Sequence, residues 1–365
     1  MATKERYEYA PDYATHPGEV LGERLEAYGM SQTELARRIG MSTKTMSLMV
    51  NGKAPVTPET ALQLERVLGV SARLWTGLDS NYRLHEARKA ETRNLEAHRE
   101  WASRFPYSEL ARRGVVPSTR DPEERAAALL QFFAVANAES WETQYGSLQV
   151  AFRKSVAFTH SREAIACWLR LAETQAVQTR CAAFDEALFM SALKQARGLT
   201  QELPEEFDCI LRGACATAGV ALVFVAELKG THLSGAARWL NPDKAMVALS
   251  LRHKMDDHFW FSFFHEAGHL LKDSKKKVYL DGADGAPSCD VEDEANRFAC
   301  DMLLPPDAYR RFVAAERYNE KTVTEFAGKV GVAAGVVVGR LQHDRHIPFN
   351  SALNHLKRTI ECARD

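Results

Sequence analysis

One segment of the chain, residues 258–273, constrains the fold more than any other. It reads HFWFSFFHEAGHLLKD, an aromatic run followed by two histidines four residues apart. On a helix this spacing puts His265 and His269 one turn apart on the same face. Because the aromatic run belongs in a hydrophobic interior, the polar groups beside it need a partner such as a metal ion. The segment therefore predicts a buried helix that carries a metal site.

The pentapeptide from His265 to His269 has the residue types of a hydrolytic zinc site. Catalytic zinc takes three protein ligands and keeps one position open for water. Both histidines would bind Zn²⁺, and Glu266, about 100° further round the helix, would lie beside the ion. There Glu266 would act as the general base, taking a proton from the bound water and passing it to the leaving amine. Since the pattern is short, an unrelated surface helix is the alternative interpretation.

The acidic segment VEDEANRFA, residues 291–299, contains the candidates for a third ligand. It resembles peptidases of the thermolysin-like clan, which take this ligand from a glutamate followed four residues later by Asp or Asn. The resemblance assigns Glu292 as the third zinc ligand and Asn296 as the partner that orients a ligand histidine. Glu294 is the rival ligand, but it points about 200° away from Glu292, so only one of them can bind the ion. An acidic first turn stabilised by the helix dipole would explain the same residues without a metal.

Residues 219–345 as a whole resemble the ImmA/IrrE family of zinc metallopeptidases. The resemblance is carried by four pieces of sequence: SGAARWL, SLRHKMDDHFWFSFFHEAGHLL, EDEANRFACDMLLPP and TEFAGKVGVAAGVVVGRLQHD. It implies His265 and His269 as zinc ligands, Glu266 as the catalytic acid and base, and a downstream glutamate as the third ligand. It also implies a protein substrate, often a repressor encoded nearby.

Two further residues near these motifs are candidates for the same site. His343, in GRLQHD, would stabilise an oxyanion if it approached the cleft, whereas a structural role at the helix end is the other interpretation. Cys289 could reach the metal, and a plain buried thiol is the alternative.

The N-terminal segment has the pattern of a helix-turn-helix inside a five-helix bundle. Ser31, Ser42 and Thr57 fit N-caps, and Gly40-Met41 separates the helices SQTELARRI and STKTMSLMV. The second of these helices would enter the major groove and place its first residues on base edges, while the flanking residues would contact phosphates. The predicted base-contacting residues are Ser42, Thr43, Lys44, Thr45 and Ser47, and the predicted phosphate-contacting residues are Gln32 and Lys53.

This segment resembles the XRE/Cro-like domain of HigA-type antitoxins. The resemblance is carried by HPGEVLGERL, SQTELARRIGMSTKTMSLMVNGKAPVTPETALQLERVLGVSARLW and GLDSNYRL. It implies that a homodimer binds double-stranded operator DNA, commonly with autorepression. A generic helical bundle with polar surface residues is the alternative interpretation, and the spacing and caps favour the helix-turn-helix.

The rest of the chain supplies the predicted fold class, which is mainly α with a small antiparallel sheet (α+β). Three short strand candidates, in GVALVFVAEL, SGAARWL and AMVALSL, precede the zincin-like helix. We predict five regions: 1–82 the helix-turn-helix domain, 83–120 a charged connector helix, 121–218 a helical platform, 219–345 the metallopeptidase domain and 346–365 a C-terminal tail.

Composition limits the function class and the compartment. The net charge of the 365 residues is −1, so any DNA contact must come from a local patch. Seven cysteines, an odd number without a C-x-x-C pair, indicate free thiols in a reducing compartment. Neither a secretory signal nor an apolar run of about 18 residues is present. These features predict a cytoplasmic protein without a membrane partner.

Two functions from different classes fit the sequence. In the first, a DNA-binding transcriptional regulator cleaves a regulatory protein or itself with its zinc-dependent peptidase domain, within a toxin-antitoxin or stress-response operon. In the second, a HigA-like antitoxin or repressor uses the metal domain as a sensor or to bind a toxin or other partner, without significant proteolysis. Glu266→Gln distinguishes them, since it should abolish cleavage while leaving the fold, zinc binding and DNA binding intact.

Overall fold

The computed structural model describes most of the chain. The described residues are 13–145, 161–202, 206–250, 252, 254–272, 278–281 and 290–360. The chain divides into two compact units, Met1–Arg99 and Glu100–Asp365. Helices dominate the described part of both units, and a small sheet lies in the second. The predicted class, mainly α with a small sheet, is confirmed.

The first unit is a bundle of five helices over its described residues. They are α1 (Pro17–Ala27), α2 (Gln32–Arg38), α3 (Thr43–Val50), α4 (Pro58–Leu68) and α5 (Ala72–Ala97). The predicted caps are present, because the side chains of Ser31, Ser42 and Thr57 each accept a hydrogen bond from the backbone N–H three residues later. The apolar faces of all five helices share one core, in which Leu35, Met46 and Trp75 are fully enclosed.

The fifth helix is longer than the sequence predicts. It continues past position 82 without a break, so the end of the bundle and the start of the predicted connector are one helix. Asp79 supports this continuity: its Oδ2 lies 2.8 Å from Arg83 Nε, four residues on, and its Oδ1 accepts a hydrogen bond from Val56 N at 3.2 Å. The remainder of the predicted connector forms short separate helices.

The second unit carries the remaining helices and the strands. The helices are α6 (Arg99–Ser103), which starts at the division, α7 (Tyr107–Arg112), α8 (Pro122–Phe133), α9 (Ala138–Tyr145), α10 (Arg162–Gln178), α11 (Glu186–Glu202), α12 (Phe207–Thr217), α13 (Asp256–Lys272), α14 (Asp290–Leu303), α15 (Pro306–Ala314), α16 (Glu320–Val330) and α17 (Ala334–His343). The strands are β1 (Val220–Phe224), β2 (Gly235–Asn241), β3 (Lys244–Leu249) and β4 (Val278–Asp281).

The sheet is mixed, which corrects the prediction that it is antiparallel. The strand order is β1-β3-β2-β4. Strand β2 pairs antiparallel with both β3 and β4, but β1 and β3 are parallel. The tight β2–β3 hairpin inserts β3 between β1 and β2, and sequence order alone does not reveal this insertion. All five residues of β1 are buried, as expected of a strand covered on both faces.

The helices of the predicted platform share the core of the second unit. Phe189 on α11 and Phe207 on α12 lie in the same apolar cluster as Phe263 and Phe264 on α13. Helix α12 packs on β1, and α10 packs on three strands of the sheet. These helices therefore support the sheet and the histidine-bearing helix directly.

The region predicted as a tail is packed against the fold up to residue 360. A 3₁₀ segment (Ala352–Leu356) carries the buried Leu353. Lys357 Nζ lies 2.6 Å from Asp257 Oδ2, and Arg358 Nε lies 3.5 Å from Asp256 Oδ2. The segment is thus fastened by two ion pairs to the first turn of α13.

Two predictions about the whole chain can be compared with the described residues. Each of the five cysteines among the described residues is free, while Cys289 and Cys362 lie outside those residues. Within the same residues, no single helix is long and apolar enough to cross a membrane; α16 and α17 pass that test only together, and a bend of 110° separates them.

Candidate metal centre and helix-turn-helix

The two histidines of α13 meet in the interior of the second unit. Both are almost completely buried. Their ring centroids are 4.7 Å apart, and His265 Nε2 lies 3.1 Å from His269 Nε2. The four-residue spacing on a helix therefore brings both Nε2 atoms to one point, as the sequence predicts.

Glu292 on α14 completes a triangle with these histidines. Its Oε2 lies 3.3 Å from His265 Nε2, and its Oε1 lies 3.5 Å from His269 Nε2. Burial raises the pKa of Glu292, but hydrogen bonds and charges from the two histidines outweigh that effect and lower it to about 2. The Glu292 side chain is 37% exposed, so the triangle opens to solvent on one side.

The triangle is close in size to the ligand set of one metal ion. Tetrahedral zinc with bonds of about 2.0–2.2 Å separates neighbouring ligand atoms by about 3.3–3.6 Å. One atom from each of His265, His269 and Glu292 lies within 4.8 Å of the other two. The two histidine–glutamate approaches of 3.3 and 3.5 Å match the tetrahedral edge, and the histidine–histidine approach of 3.1 Å is slightly shorter. Two imidazoles and one carboxylate are also a ligand set that zinc favours.

The other acidic candidates of α14 lie elsewhere. Glu294 is exposed, and its Oε1 is 3.9 Å from Lys272 Nζ. Asn296 is partly buried and lies one turn after Glu292. The structure therefore brings Glu292, and not the rival Glu294, to the histidines.

Glu266 is fully buried between α13 and the sheet. Its carboxylate faces Gly235, the first residue of β2. A Cβ atom at Gly235 would lie 2.7 Å from Glu266 Oε1 and 2.9 Å from its Cγ. The missing side chain at Gly235 therefore makes the space that the Glu266 carboxylate occupies.

A second glycine lets α13 and α14 approach each other. A Cβ at Gly268 would lie 3.1 Å from Phe298 Cδ1 and 3.3 Å from the Cα of Ala295. Ala295 is buried at the same crossing, three residues after Glu292. Two small residues at the crossing thus allow α14 to carry Glu292 to the histidines.

His343 lies at the end of α17, beside the histidine-bearing face of α13. Its ring faces Phe261 at 6.4 Å between centroids, and Phe261 faces His265 at 6.0 Å. His343 Nδ1 lies 3.2 Å from Asp344 Oδ1. Cys289, the other sequence candidate, lies outside the described residues.

The predicted helix-turn-helix residues lie on α2, on α3 and beside the ends of α3 in the first unit. Helices α2 and α3 are joined by a turn in which Gly40 has φ +70°, a conformation that favours glycine. Met46 and Met49 face the core. All of the predicted DNA-contacting residues are exposed: Gln32, Ser42, Thr43, Lys44, Thr45, Ser47 and Lys53.

Three of these hydroxyl groups, those of Ser42, Thr45 and Ser47, also have local partners. Ser42 Oγ accepts a hydrogen bond from Thr45 N at 3.1 Å and lies 2.8 Å from Thr45 Oγ1. Lys44 and Thr43 project from the first turn of the same helix with exposed side chains. Ser42 therefore caps α3, while Thr43 and Lys44 present their polar groups to solvent.

Two stretches of the chain match known protein families. Residues 21–75 match the helix-turn-helix family, and residues 223–342 match the IrrE N-terminal-like domain of the M78 peptidases. The chain belongs to the XRE-type helix-turn-helix family and carries an IrrE N-terminal-like domain. Both predicted resemblances are confirmed, and the site described above lies in the M78 peptidase domain.

Two curated relatives align with the XRE-type domain. The uncharacterized HTH-type transcriptional regulator YddM of Escherichia coli (strain K12) is 37% identical over 73 residues, which cover 20% of this chain and 78% of YddM. Virulence-associated protein I of Dichelobacter nodosus is 35% identical over 75 residues, which cover 20% of this chain and 69% of that protein. The N-terminal part of the chain is thus a DNA-binding regulator domain.

Solved structures similar to the XRE-type domain include two proteins of the HigA type. The Pseudomonas aeruginosa antitoxin HigA, solved with the higBA promoter, is 31% identical; the match covers 23% of this chain and 94% of HigA, with a TM-score of 0.22. An addiction module antidote protein of a HigA family from Coxiella burnetii is 31% identical; the match covers 23% of this chain and 91% of that protein, with a TM-score of 0.21.

Sequence analysis missed three features that shape the M78 peptidase domain. Gly235 and Gly268 make room for Glu266 and for α14. A glycine inside a predicted helix or strand signals close packing, and that signal was available. The third feature is the carboxylate of Asp344, which adjoins His343 and Arg340 in the sequence but also accepts a hydrogen bond from Tyr309, 35 residues away.

Proposed function

We propose that this protein is a transcriptional regulator that binds operator DNA through its XRE-type domain and hydrolyses peptide bonds with a zinc-dependent M78 peptidase domain. Its substrate would be a regulatory protein or the chain itself. One observation carries the proposal: His265, His269 and Glu292 converge at distances that suit one zinc ion, with the buried Glu266 next to them in the same helix.

The metal would be held by three side chains of this domain. His265 and His269 would bind through Nε2, and Glu292 through its carboxylate. Zinc held there would supply Lewis-acid chemistry, which lowers the pKa of a bound water molecule to about 7 and polarises a peptide carbonyl. The partly exposed side of the triangle, at Glu292, would give that water and a peptide access to the metal.

Glu266 would move the proton. Its carboxylate is enclosed by α13 and β2, away from bulk water. From that position it would accept a proton from the attacking water and give it to the nitrogen of the leaving amine. Gly235 fixes where this carboxylate sits, which matters because general-base catalysis depends on hydrogen-bond distances of about 2.6–3.2 Å.

The DNA-binding half of the proposal depends on α3. Its first turn carries Thr43 and Lys44 with exposed side chains, and its opposite face is buried in the bundle. This is the arrangement in which a recognition helix enters the major groove while the rest of the bundle supports it. We infer that a homodimer binds the operator and that the protein acts in the cytoplasm, where that DNA is accessible.

Metal binding tests the peptidase half directly. Purified protein should bind one zinc ion, and Glu292→Gln should weaken zinc affinity by at least about 100-fold, since even loss of a partner that only orients a ligand weakens it by about 10–100-fold. Glu294→Gln is the matched control on the same helix and should leave the affinity unchanged. Equal zinc affinity in the two variants would remove Glu292 from the site.

The second candidate is a repressor or HigA-like antitoxin whose metal domain senses a signal or binds a partner without proteolysis. The two curated relatives support its regulator part, because both align with the XRE-type domain. Replacing Glu266 by Gln in cells separates the two candidates. The peptidase proposal requires that regulation change, and unchanged regulation would favour the sensor.

A further inference from the structure

His343 continues a row of rings along one face of α13. Phe261, His265 and His269 are spaced four residues apart, so they lie on the same face of this helix. The centroid distances along the row are 4.7 Å from His269 to His265, 6.0 Å from His265 to Phe261, and 6.4 Å from Phe261 to His343. The last three rings are near parallel, at 30° and 28°. The row places His343 on the side of α13 that carries the metal ligands.

Asp344 holds His343 in one orientation. Its Oδ1 faces His343 Nδ1 at 3.2 Å. Its Oδ2 accepts hydrogen bonds from Tyr309 Oη at 2.9 Å and from Arg340 Nε at 2.7 Å. Burial raises the pKa of Asp344, but hydrogen bonds from Arg340, His343 and Tyr309 lower it further than burial raises it. An ionised, fixed carboxylate therefore accepts the Nδ1–H of His343 and leaves Nε2 free for another partner.

The exposure of His343 indicates that its fixed orientation serves something other than packing. The side chain is 74% exposed, so the fold gains little from fixing it. His355 is also exposed and faces a carboxylate, since its Nε2 lies 3.4 Å from Glu320 Oε2, but that partner is itself exposed. Of these two histidines, His343 is the one that faces a carboxylate held by two further hydrogen-bond donors. It is also the one that lies beside the metal-ligand face of α13.

The position of Phe261 determines what His343 can reach. One ring separates His343 from His265, so the bound metal and His343 would lie roughly two helical turns, about 11 Å, apart along α13. An oxyanion donor must come within about 2.7–3.1 Å of the reacting oxygen. A hydrogen bond to His343 spans about 3 Å of that separation. An extended peptide advances about 3.3 Å per residue, so a substrate held at the metal would cover the remaining distance of about 8 Å in two or three residues from the cleaved bond.

We propose that His343 is a substrate-binding residue of the peptidase domain, which accepts a hydrogen bond at Nε2 from a peptide N–H two or three residues from the scissile bond. Asp344 is the positioning residue that sets the ring for this contact. The inference rests on the proposed metallopeptidase function, and it names the ligand class as an extended peptide main chain. The ring of Phe261 lies between the metal ligands and His343, and the bound peptide would pass over it.

Peptide hydroxamates of graded length test this contact in the zinc-loaded full chain. Two alanine series of one to four residues, with the hydroxamate at the C-terminus or the N-terminus, extend from the metal in opposite directions. In wild type, one series should gain about fivefold in affinity at the length that reaches His343, as expected for one hydrogen bond. His343→Ala should abolish that gain and leave the affinity of the one-residue hydroxamate unchanged. His355→Ala is the matched control and should behave as wild type.

The outcomes separate this proposal from the function on which it rests. If the one-residue hydroxamate does not bind the zinc-loaded protein, the metallopeptidase function fails. If it binds, but His343→Ala changes neither series at any length, the metal site stands and the His343 contact is wrong. A loss of affinity for all lengths in His343→Ala would also overturn the contact, because it would show an effect on the metal site itself.

A second readout tests Asp344 without any metal. Long-range ¹H–¹⁵N spectra of histidine-labelled protein should show His343 in wild type with its proton on Nδ1. Asp344→Asn should change that pattern and should abolish the length-dependent gain in affinity, while the one-residue hydroxamate binds as before. An unchanged tautomer, or a retained gain in Asp344→Asn, would show that Asp344 does not position the ring.

Discussion

Gly235 and Glu266 meet where β2 begins, and any side chain at Gly235 would occupy the place of the Glu266 carboxylate. A Cβ there would lie 2.7 Å from Oε1. The same Cβ would also lie only 3.1 Å from the carbonyl oxygen of Ala248 on β3, so it could not move away from Glu266 towards that strand. A strand residue and a helix residue are therefore matched across the interface between the sheet and α13.

The first prediction concerns this pair. Gly235→Ala should displace Glu266 and lower peptidase activity by at least tenfold, with a loss of stability of about 1–3 kcal/mol from overpacking. Zinc affinity should stay within about twofold, because none of the three ligands touches Gly235. Activity, zinc binding and urea unfolding measure the three effects. Gly213→Ala is the control, since a Cβ at Gly213 on α12 meets nothing within 4 Å, and unaltered activity in Gly235→Ala would contradict the account.

The second prediction concerns the pH dependence of stability. The pKa of Asp344 is lowered in the folded protein although burial raises it, since Arg340, His343 and Tyr309 donate hydrogen bonds to it. Because this pKa is lower in the folded than in the unfolded protein, the ionised carboxylate stabilises the fold fully above the unfolded pKa of about 3.9. This stabilisation is lost as the pH falls through the folded pKa. The difference in unfolding free energy between wild type and Asp344→Asn should therefore be constant from pH 7 to about 5 and shrink below about pH 4. Urea unfolding across this range measures it, and a difference that grows on acidification would contradict the sign.

The third prediction concerns the ion pair that fastens residue 357 to α13. Side-chain exposures of Lys357 and Asp257 are 11% and 7%. Lys357→Met would leave a nearly buried carboxylate unpaired, so we expect a loss of about 3 kcal/mol in unfolding free energy. Lys321→Met is the control, because Lys321 and Glu325 form an exposed pair at 4.0 Å that is worth at most about 1 kcal/mol. Equal effects of the two substitutions would mean that the C-terminal segment does not anchor α13.

The fourth prediction concerns the recognition helix. Lys44→Ala should weaken binding to the operator about tenfold, since a base contact contributes about 1–3 kcal/mol, and should change binding to unrelated DNA much less. Lys89→Ala on α5 is the control, because Lys89 is exposed and faces Glu86 at 3.3 Å. Gel retardation with the DNA upstream of the gene, at a stated salt concentration, measures both. An equal loss on both DNAs would instead make Lys44 a phosphate contact.

The sequence predicted those parts of the structure that depend on local spacing. The pair His265 and His269 is fixed by the helical repeat, and the caps of α2, α3 and α4 by the hydrogen-bonding capacity of their hydroxyl groups. These features need no knowledge of the rest of the fold. The convergence of Glu292 on the histidines was also anticipated, but through resemblance to other peptidases and not through the physics of the sequence.

The features that sequence analysis missed depend on contacts between distant segments. Strand β3 inserts between β1 and β2, and that order follows from packing of the whole unit. Gly235 and Glu266 are separated along the chain and become neighbours only when β2 packs on α13. Likewise, the carboxylate of Asp344 acquires its role from Tyr309 on a different helix. Local patterns predict elements and short motifs, whereas such pairs need the assembled core.

The most direct test of the central claim compares wild type with Glu266→Gln. Each purified protein, loaded with zinc, is incubated alone and with the protein products of neighbouring genes, and new N-termini are identified by mass spectrometry. Both proteins should bind one zinc ion per chain with similar affinity. Wild type alone should generate a new N-terminus, in a neighbouring gene product or in the chain itself. Cleavage by Glu266→Gln at the wild-type rate, or no cleavage by fully zinc-loaded wild type, would contradict the account.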